Sequence, residues 1–199
     1  KFKGINPHGW VNMREALAVS SNIYFYTVGG GYENKQGLGP SAIKKYLNLF
    51  GWGEKTGIDL AGEAKGFIPD AAWKKSTLNE GWWDGDTYNL SIGQGYLQIT
   101  PLELANSFAA IANGGTLFKP KVVQKIIDNS PGGSEAVTEI APEIIRSNFI
   151  DAENIQVVRE GMRLAVKSDR RDSTLAIYQI PGSQLSGKSG TAQLGANNE

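Results

Sequence analysis

Apolar residues recur at helical spacing along most of this chain, and the helical runs are separated by glycine-rich turns. Asn12 followed by Glu15 resembles a capping box, with Ala16, Leu17 and Val19 opening an apolar stretch behind it. Ser20-Ser21-Asn22 interrupts that stretch, since such side chains compete for backbone hydrogen bonds. The run resumes over 23–28 and is expected to stop at Gly29-Gly30-Gly31. Residues 40–50 place Ile43, Tyr46, Leu47 and Phe50 at helical spacing before Gly51. Thr100-Pro101-Leu102-Glu103 combines a capping threonine, an early proline and a glutamate that can reach back. Leu104, Phe108 and Ile111 are its expected inward face, and Gly114-Gly115 its end. Residues 122–127 read as a short strand, 129–133 as a surface turn, and Asp151 as the cap of a helix burying Ile155, Val158, Met162 and Ala165. Residues 175–180 are apolar and β-prone, with an adjacent strand expected at 188–192. The pattern contains no internal repeat.

Composition narrows the chemistry. A chain of 199 residues suits one domain and can bury a core; 40% hydrophobic and 20% charged residues are ordinary for a globular protein. Twenty basic residues balance twenty acidic ones without a basic run, so nucleic acid is not an expected partner. The absence of cysteine removes thiolate metal sites, thiol catalysis and disulfides. His8 is the single histidine, beside Pro7 and Gly9, and reads as a loop residue; no metal or cofactor is expected. No apolar run has the length of a membrane span, and Lys1-Phe2-Lys3-Gly4 resembles neither an initiator nor a signal peptide. Both ends read as cuts through a larger protein.

Two polar motifs carry the most chemistry: Ser20-Ser21-Asn22 and Lys188-Ser189-Gly190-Thr191. In this order they match two of the three parts of the site in penicillin-recognising serine acyl-transferases, the missing first part being Ser-x-x-Lys. Three other matches compete. Residues 182–189 fit the phosphate-loop pattern in full, but Gly190-Thr191 is a poor helix start and Pro181 breaks the run leading in. Ser41-Ala42-Ile43-Lys44 is a literal Ser-x-x-Lys, yet it follows Ser20 and reads as a helix entry behind Pro40. Ser91-Ile92-Gly93-Gln94-Gly95 could suggest a phosphate cradle and reads better as a tight turn.

Longer blocks strengthen the first match. They include His8-Gly9, the stretch from Ala16-Leu17 to Tyr26, and Phe50-Gly51-Trp52-Gly53 leading to Thr56-Gly57-Ile58-Asp59-Leu60. Gly66, Pro69, Trp73 and the segment 83–87 follow; then come 91–95, Thr100-Pro101-Leu102-Glu103-Leu104-Ala105, Asn113-Gly114-Gly115 and Lys188-Ser189-Gly190-Thr191-Ala192. With these in order, the chain resembles a class B penicillin-binding protein, most similar to the elongation-type penicillin-binding protein 2 branch. The resemblance implies an α+β transpeptidase fold: an antiparallel sheet flanked by helices, incomplete here. Residues 1–199 would be a partial transpeptidase domain, lacking the upstream Ser-x-x-Lys segment and the C-terminal strands and helix.

That resemblance also implies roles. Ser20 would relay a proton toward the departing D-alanine nitrogen, Asn22 would bind the donor peptide's backbone amide, and Lys188 would supply positive charge to the cleft. Ser189 and Thr191 would hold the substrate's terminal carboxylate, and Gly190 would let the substrate strand lie flat. The Thr191 N–H would form half of an oxyanion hole, a donor typically worth about 3 kcal/mol. The nucleophile would lie outside this chain, so the chain alone is expected not to be acylated. Expected partners are peptidoglycan stem peptides ending in D-Ala-D-Ala, β-lactams and an elongation glycosyltransferase. The expected location is the periplasmic face of the cell membrane, held by an anchor outside these residues.

Plainer roles stand beside these. Ser20 and Asn22 could cap the helix near Ile23, Lys188 could be a solvated charge, Trp82 and Trp83 could cover a core edge, and Tyr24, Phe25 and Tyr26 could be core. The competing functions are a β-lactamase or β-lactam sensor of the same fold, in which Glu80 would have to serve deacylation, a nucleotide-binding module, and a non-catalytic scaffold.

Overall fold

The computed structural model describes residues 8–128, 136–167 and 172–191. Lys1, the 129–133 turn, Ala192 and the C-terminal residues lie outside them. The described residues form seven α-helices, a 3-10 turn and four short strands, an α+β arrangement. None of these helices is long and apolar enough to cross a membrane.

Helix α1 (Met13–Ala18) begins with the expected capping box: Asn12 accepts from Glu15 N–H, and the Glu15 carboxylate accepts from Asn12 N–H. Its alanines pack against the long helix α7 (Ala152–Lys167); Ala16 and Ala165 are fully buried. Gly161 permits this approach, because a Cβ there would lie 2.6 Å from a Leu17 methyl. Of the predicted face of α7, Ile155, Met162 and Ala165 are buried and Val158 is half-buried, with Val166 buried beside them.

Helix α2 (Asn22–Gly30) runs through two of the glycines expected to stop it and ends at Gly31, φ +84°. The reason is tertiary. A Cβ on Gly29 would sit 1.8 Å from Ser91 Oγ, and one on Gly30 would sit 2.1 Å from the Tyr88 ring. Those neighbours belong to α5 (Asp84–Ser91), so the glycines are where α2 and α5 touch. Tyr24, Phe25 and Tyr26 are half-buried, and Tyr26 meets Tyr88 edge-to-face.

Helix α3 (Gly39–Leu49) ends at Phe50 and Gly51 as its spacing predicts. Helix α4 (Ala71–Leu78) and α5 lack a clear apolar stripe in sequence and rest on polar caps. Asp70 accepts from Trp73 N–H, and the Asp86 carboxylate accepts from Trp83 N–H. Trp82 donates its indole N–H to Thr87 Oγ1 at 2.8 Å and lies half-buried, whereas Trp83 is 68% exposed.

Helix α6 (Pro101–Ala112) has the expected start, but its inward face is not the predicted one. Leu104 and Phe108 are exposed, while Glu103, Ser107 and Ala110 are buried. Glu103 sets this rotation: besides Thr100 N–H, its carboxylate accepts from Gly53 N–H and Gly66 N–H at 2.9 Å each. Three charge-assisted bonds to otherwise orphaned backbone donors outweigh the burial of Leu104 and Phe108.

The strands form two antiparallel pairs rather than one sheet among the described residues. β1 (Leu117–Phe118) pairs with β4 (Ile144–Arg146), and β2 (Lys125–Asp128) with β3 (Ala136–Glu139). β2 starts three residues later than predicted because the Asp59 carboxylate takes the N–H groups of Val122 and Val123. Residues 175–180 are not a strand. Leu175 N–H is taken by the Ala165 carbonyl, and Ala176–Tyr178 coil into a 3-10 turn. Lys188 to Thr191 is likewise not a strand, having no ladder partner among the described residues.

Candidate active site

The corner between α1 and α2 determines what Ser20 can do. Ser21 N–H bonds the Ala16 carbonyl and Ser20 N–H bonds the Leu17 carbonyl, the pattern of a Schellman end. The position that usually takes glycine in that motif is filled by Ser20, at φ +54°. A side chain in the left-handed region costs about 1–2 kcal/mol. Glycine would be the stable choice here, and a hydroxyl kept at such a position points to use of the hydroxyl. Ser20 does not cap α2. The cap is Ser21, buried, whose Oγ accepts from Tyr24 N–H at 3.4 Å. Asn22 is the first helical residue, half-buried, and its amide has no hydrogen-bond partner among the described residues.

The second motif is carried to this corner by α7. Arg163 donates to the carbonyls of Ser183 and Leu185, and Gly187 N–H bonds the Met162 carbonyl at 3.1 Å. Thr174 N–H bonds the Ala18 carbonyl, tying the same run to the end of α1. Lys188 Nζ then lies 2.7 Å from Ser20 Oγ, although 168 residues separate them. The same ammonium donates to the Ser189 carbonyl at 3.0 Å and reaches Ser189 Oγ at 3.4 Å. Burial pushes the Lys188 pKa below the usual lysine value. A lysine so shifted exchanges a proton with a neighbouring hydroxyl more readily than a solvated one does. Gly190 and Thr191 are exposed, and a Cβ on Gly190 would meet nothing within 4 Å, so this edge is open to a ligand.

The structure therefore brings together Ser20, Lys188 and Ser189, and leaves Gly190 and Thr191 on the open edge beside them. It disperses the competing motifs. In the phosphate-loop match, Arg163 occupies carbonyls of the loop, and Gly190-Thr191 is not the start of a helix. In the Ser41 match, Lys44 is paired with Asp70 at 2.5 Å. Glu80 lies 3.5 Å from Lys74, which is also bound to Asp86 at 2.7 Å. His8, read as a loop residue, pairs with Asp172 at 2.8 Å. One residue of the site escaped the sequence reading: Gln94, whose Nε2 donates to the Thr191 carbonyl at 2.6 Å. Its signal was the pair of glycines flanking it.

An α+β framework thus places a serine at positive φ against a half-buried lysine, beside an open Ser-Gly-Thr edge. Comparison with known proteins shows the family. The family model described as "Penicillin binding protein transpeptidase domain" matches residues 2–199. The peptidoglycan D,D-transpeptidase MrdA of Acinetobacter baumannii is 34% identical over 188 residues, covering 94% of this chain and 26% of that protein. The chain thus spans about a quarter of that relative. Among solved structures, the complex of PBP2 with MreC from Helicobacter pylori aligns at a TM-score of 0.69 and 29% identity, covering 93% of this chain and 31% of that one. A peptidoglycan synthase complex described as coordinating polymerization and crosslinking aligns at 0.67 and 26% identity, covering 96% and 30%. The chain belongs to the penicillin-binding protein transpeptidase domain family.

Proposed function

We propose that this chain is part of a peptidoglycan D,D-transpeptidase, the wall of the active-site cleft that faces the nucleophile. The observation that carries this reading is the 2.7 Å contact between Lys188 Nζ and Ser20 Oγ, which joins the two separated motifs in one site. The nucleophilic serine and its lysine belong to a Ser-x-x-Lys segment elsewhere in the longer protein. That serine attacks the carbonyl of the penultimate D-alanine, the bond to the terminal D-alanine breaks, and an acyl-enzyme forms. Ser20 passes a proton to the departing D-alanine nitrogen, a task suited to a group that both donates and accepts. Lys188 holds Ser20 in place and stabilises negative charge as it passes. Asn22, whose amide has no hydrogen-bond partner among the described residues, binds the donor peptide's backbone. Ser189 and Thr191 hydrogen-bond the terminal carboxylate, Gly190 leaves room for the substrate strand, and the Thr191 N–H supplies one oxyanion donor. An acceptor stem peptide's amine then takes the acyl group, and a β-lactam carbonyl would be trapped at the same step.

The whole protein would act at the extracytoplasmic face of the cell membrane, anchored by a segment outside these residues. A peptidoglycan-polymerising glycosyltransferase is the proposed partner, supported by the likeness to the synthase complex. The test is fluorescent-penicillin labelling of the complete protein, followed by peptide mapping. The adduct is expected on a serine outside residues 1–199, and the 199-residue chain alone should give none by intact mass. A stoichiometric adduct on Ser41, or no labelling of the complete protein, would refute the reading.

A further inference from the structure

The turn at 91–95 plays no part in the chemistry just described, yet it is built with care. Gln94 N–H and Ile92 N–H both bond the Asn89 carbonyl, at 2.9 and 3.2 Å, and Gly93 N–H bonds the Leu90 carbonyl at 3.1 Å. Gly93 and Gly95 adopt φ of +74° and +78°, so Gln94 sits at the tip between two left-handed residues. From there its amide donates to the Thr191 carbonyl at 2.6 Å. The segment Lys188 to Thr191 is therefore held at both ends, by Ser20 at one and by Gln94 at the other. Both anchors ride on one helix pair: Ser20 precedes α2, Gln94 follows α5, and the two helices are in glycine contact at Gly29 and Gly30. Without a strand ladder, these side-chain contacts do the work that backbone pairing does in a sheet.

We propose that Gln94 is a positioning residue for acyl transfer. By fixing the Thr191 carbonyl it restricts the two backbone dihedrals that aim the Thr191 N–H at the oxyanion. This rests on the transpeptidase reading and adds a residue to it. Substitution is sterically mild, because Gln94 borders a cavity of about 190 Å³ shared with Trp82, Asp86 and Tyr96.

The test uses the complete protein with Gln94→Glu, which keeps the shape and replaces the N–H donor with an ionised acceptor. At pH 8 the rate constant for acylation by fluorescent penicillin should fall about 10- to 100-fold, the range expected for losing a bond and opposing two acceptors. The dissociation constant before acylation should stay within about threefold of wild type. On lowering the pH through the ordinary glutamate value, about 4.3, the carboxyl gains a proton and can donate again, so the ratio to wild type should narrow. Wild-type-like acylation at pH 8, a deficit equal at every pH, or an effect confined to the dissociation constant would each overturn the proposal. If wild type itself is not acylated, the transpeptidase reading fails, independently of Gln94. Should Gln94→Glu not unfold cooperatively, Gln94→Ala is read in the same acylation assay, where a lower rate constant with little change in the dissociation constant is expected. A wild-type-like rate constant in Gln94→Ala would refute the role.

Discussion

Lys74 and Lys188 are both withdrawn from water, and their surroundings are opposite. Lys74 is 3% exposed and donates to both oxygens of Asp86, with Glu80 at 3.5 Å. The hydrogen bond to Asp86 raises its pKa against the opposing effect of burial. Lys188 is half-buried and faces hydroxyl and carbonyl oxygens, and burial alone lowers its pKa. A buried cation with its carboxylates in place fastens α4 to α5. A cation withdrawn from water and, among the described residues, met only by hydroxyl and carbonyl oxygens costs the fold some stability. The contrast marks Lys74 as a structural lysine and supports the role proposed for Lys188 without reference to either motif.

The largest test is a crossover. In the complete protein, Lys188→Met should slow penicillin acylation by about 100- to 1,000-fold, the range for losing one preorganised charge stabiliser, while leaving the thermal unfolding midpoint at or slightly above that of wild type. Lys74→Met should do the reverse, lowering the midpoint by several degrees because Asp86 is left without its cation, and sparing the acylation rate of the folded protein. If both variants change the same observable, the distinction collapses.

Ser20→Gly sharpens the functional side. Removing the side chain from φ +54° should stabilise the fold by about 1 kcal/mol in denaturant titration. The same change should lower acylation, since Lys188 loses its hydroxyl partner. Lower stability and undiminished acylation would mean that Ser20 is there for the corner alone.

The smallest effect is in alkaline stability, where the two lysines should act with opposite signs. Below the ordinary value of 10.5, folded Lys188 has already lost protons that the unfolded chain still binds, so it makes unfolding free energy rise with pH. Lys74, raised above 10.5, stabilises fully below that value and loses its contribution as pH climbs through the folded pKa. Denaturation at a series of pH values should show a rising limb absent from Lys188→Met and a falling limb absent from Lys74→Met.

Particular elements show where reading the sequence stops. The boxes at Asn12–Glu15 and Thr100–Glu103 were legible because each bond spans three residues. Glu103 was legible only in part. Its reach to Thr100 is local, but its bonds to Gly53 and Gly66 turn α6 so that Leu104 and Phe108 face outward. Residues 175–180 and 188–191 carry strand-like composition, and β structure needs a neighbour, which a local pattern cannot supply. Helices α4 and α5 were not legible because eight residues span barely two turns, too short for an apolar period to mark a face.

By itself the sequence determined the helix starts, the order of the polar motifs and the family they resemble, because caps and helical periods act between residues a few positions apart. Tertiary structure alone decided that Ser20 rather than Ser21 meets Lys188, that burial lowers this lysine's pKa, and that Gln94 reaches Thr191. Those contacts close over 168 and 97 residues. Their geometry depends on how α1 seats on α7 and α2 on α5, which only the packed molecule specifies.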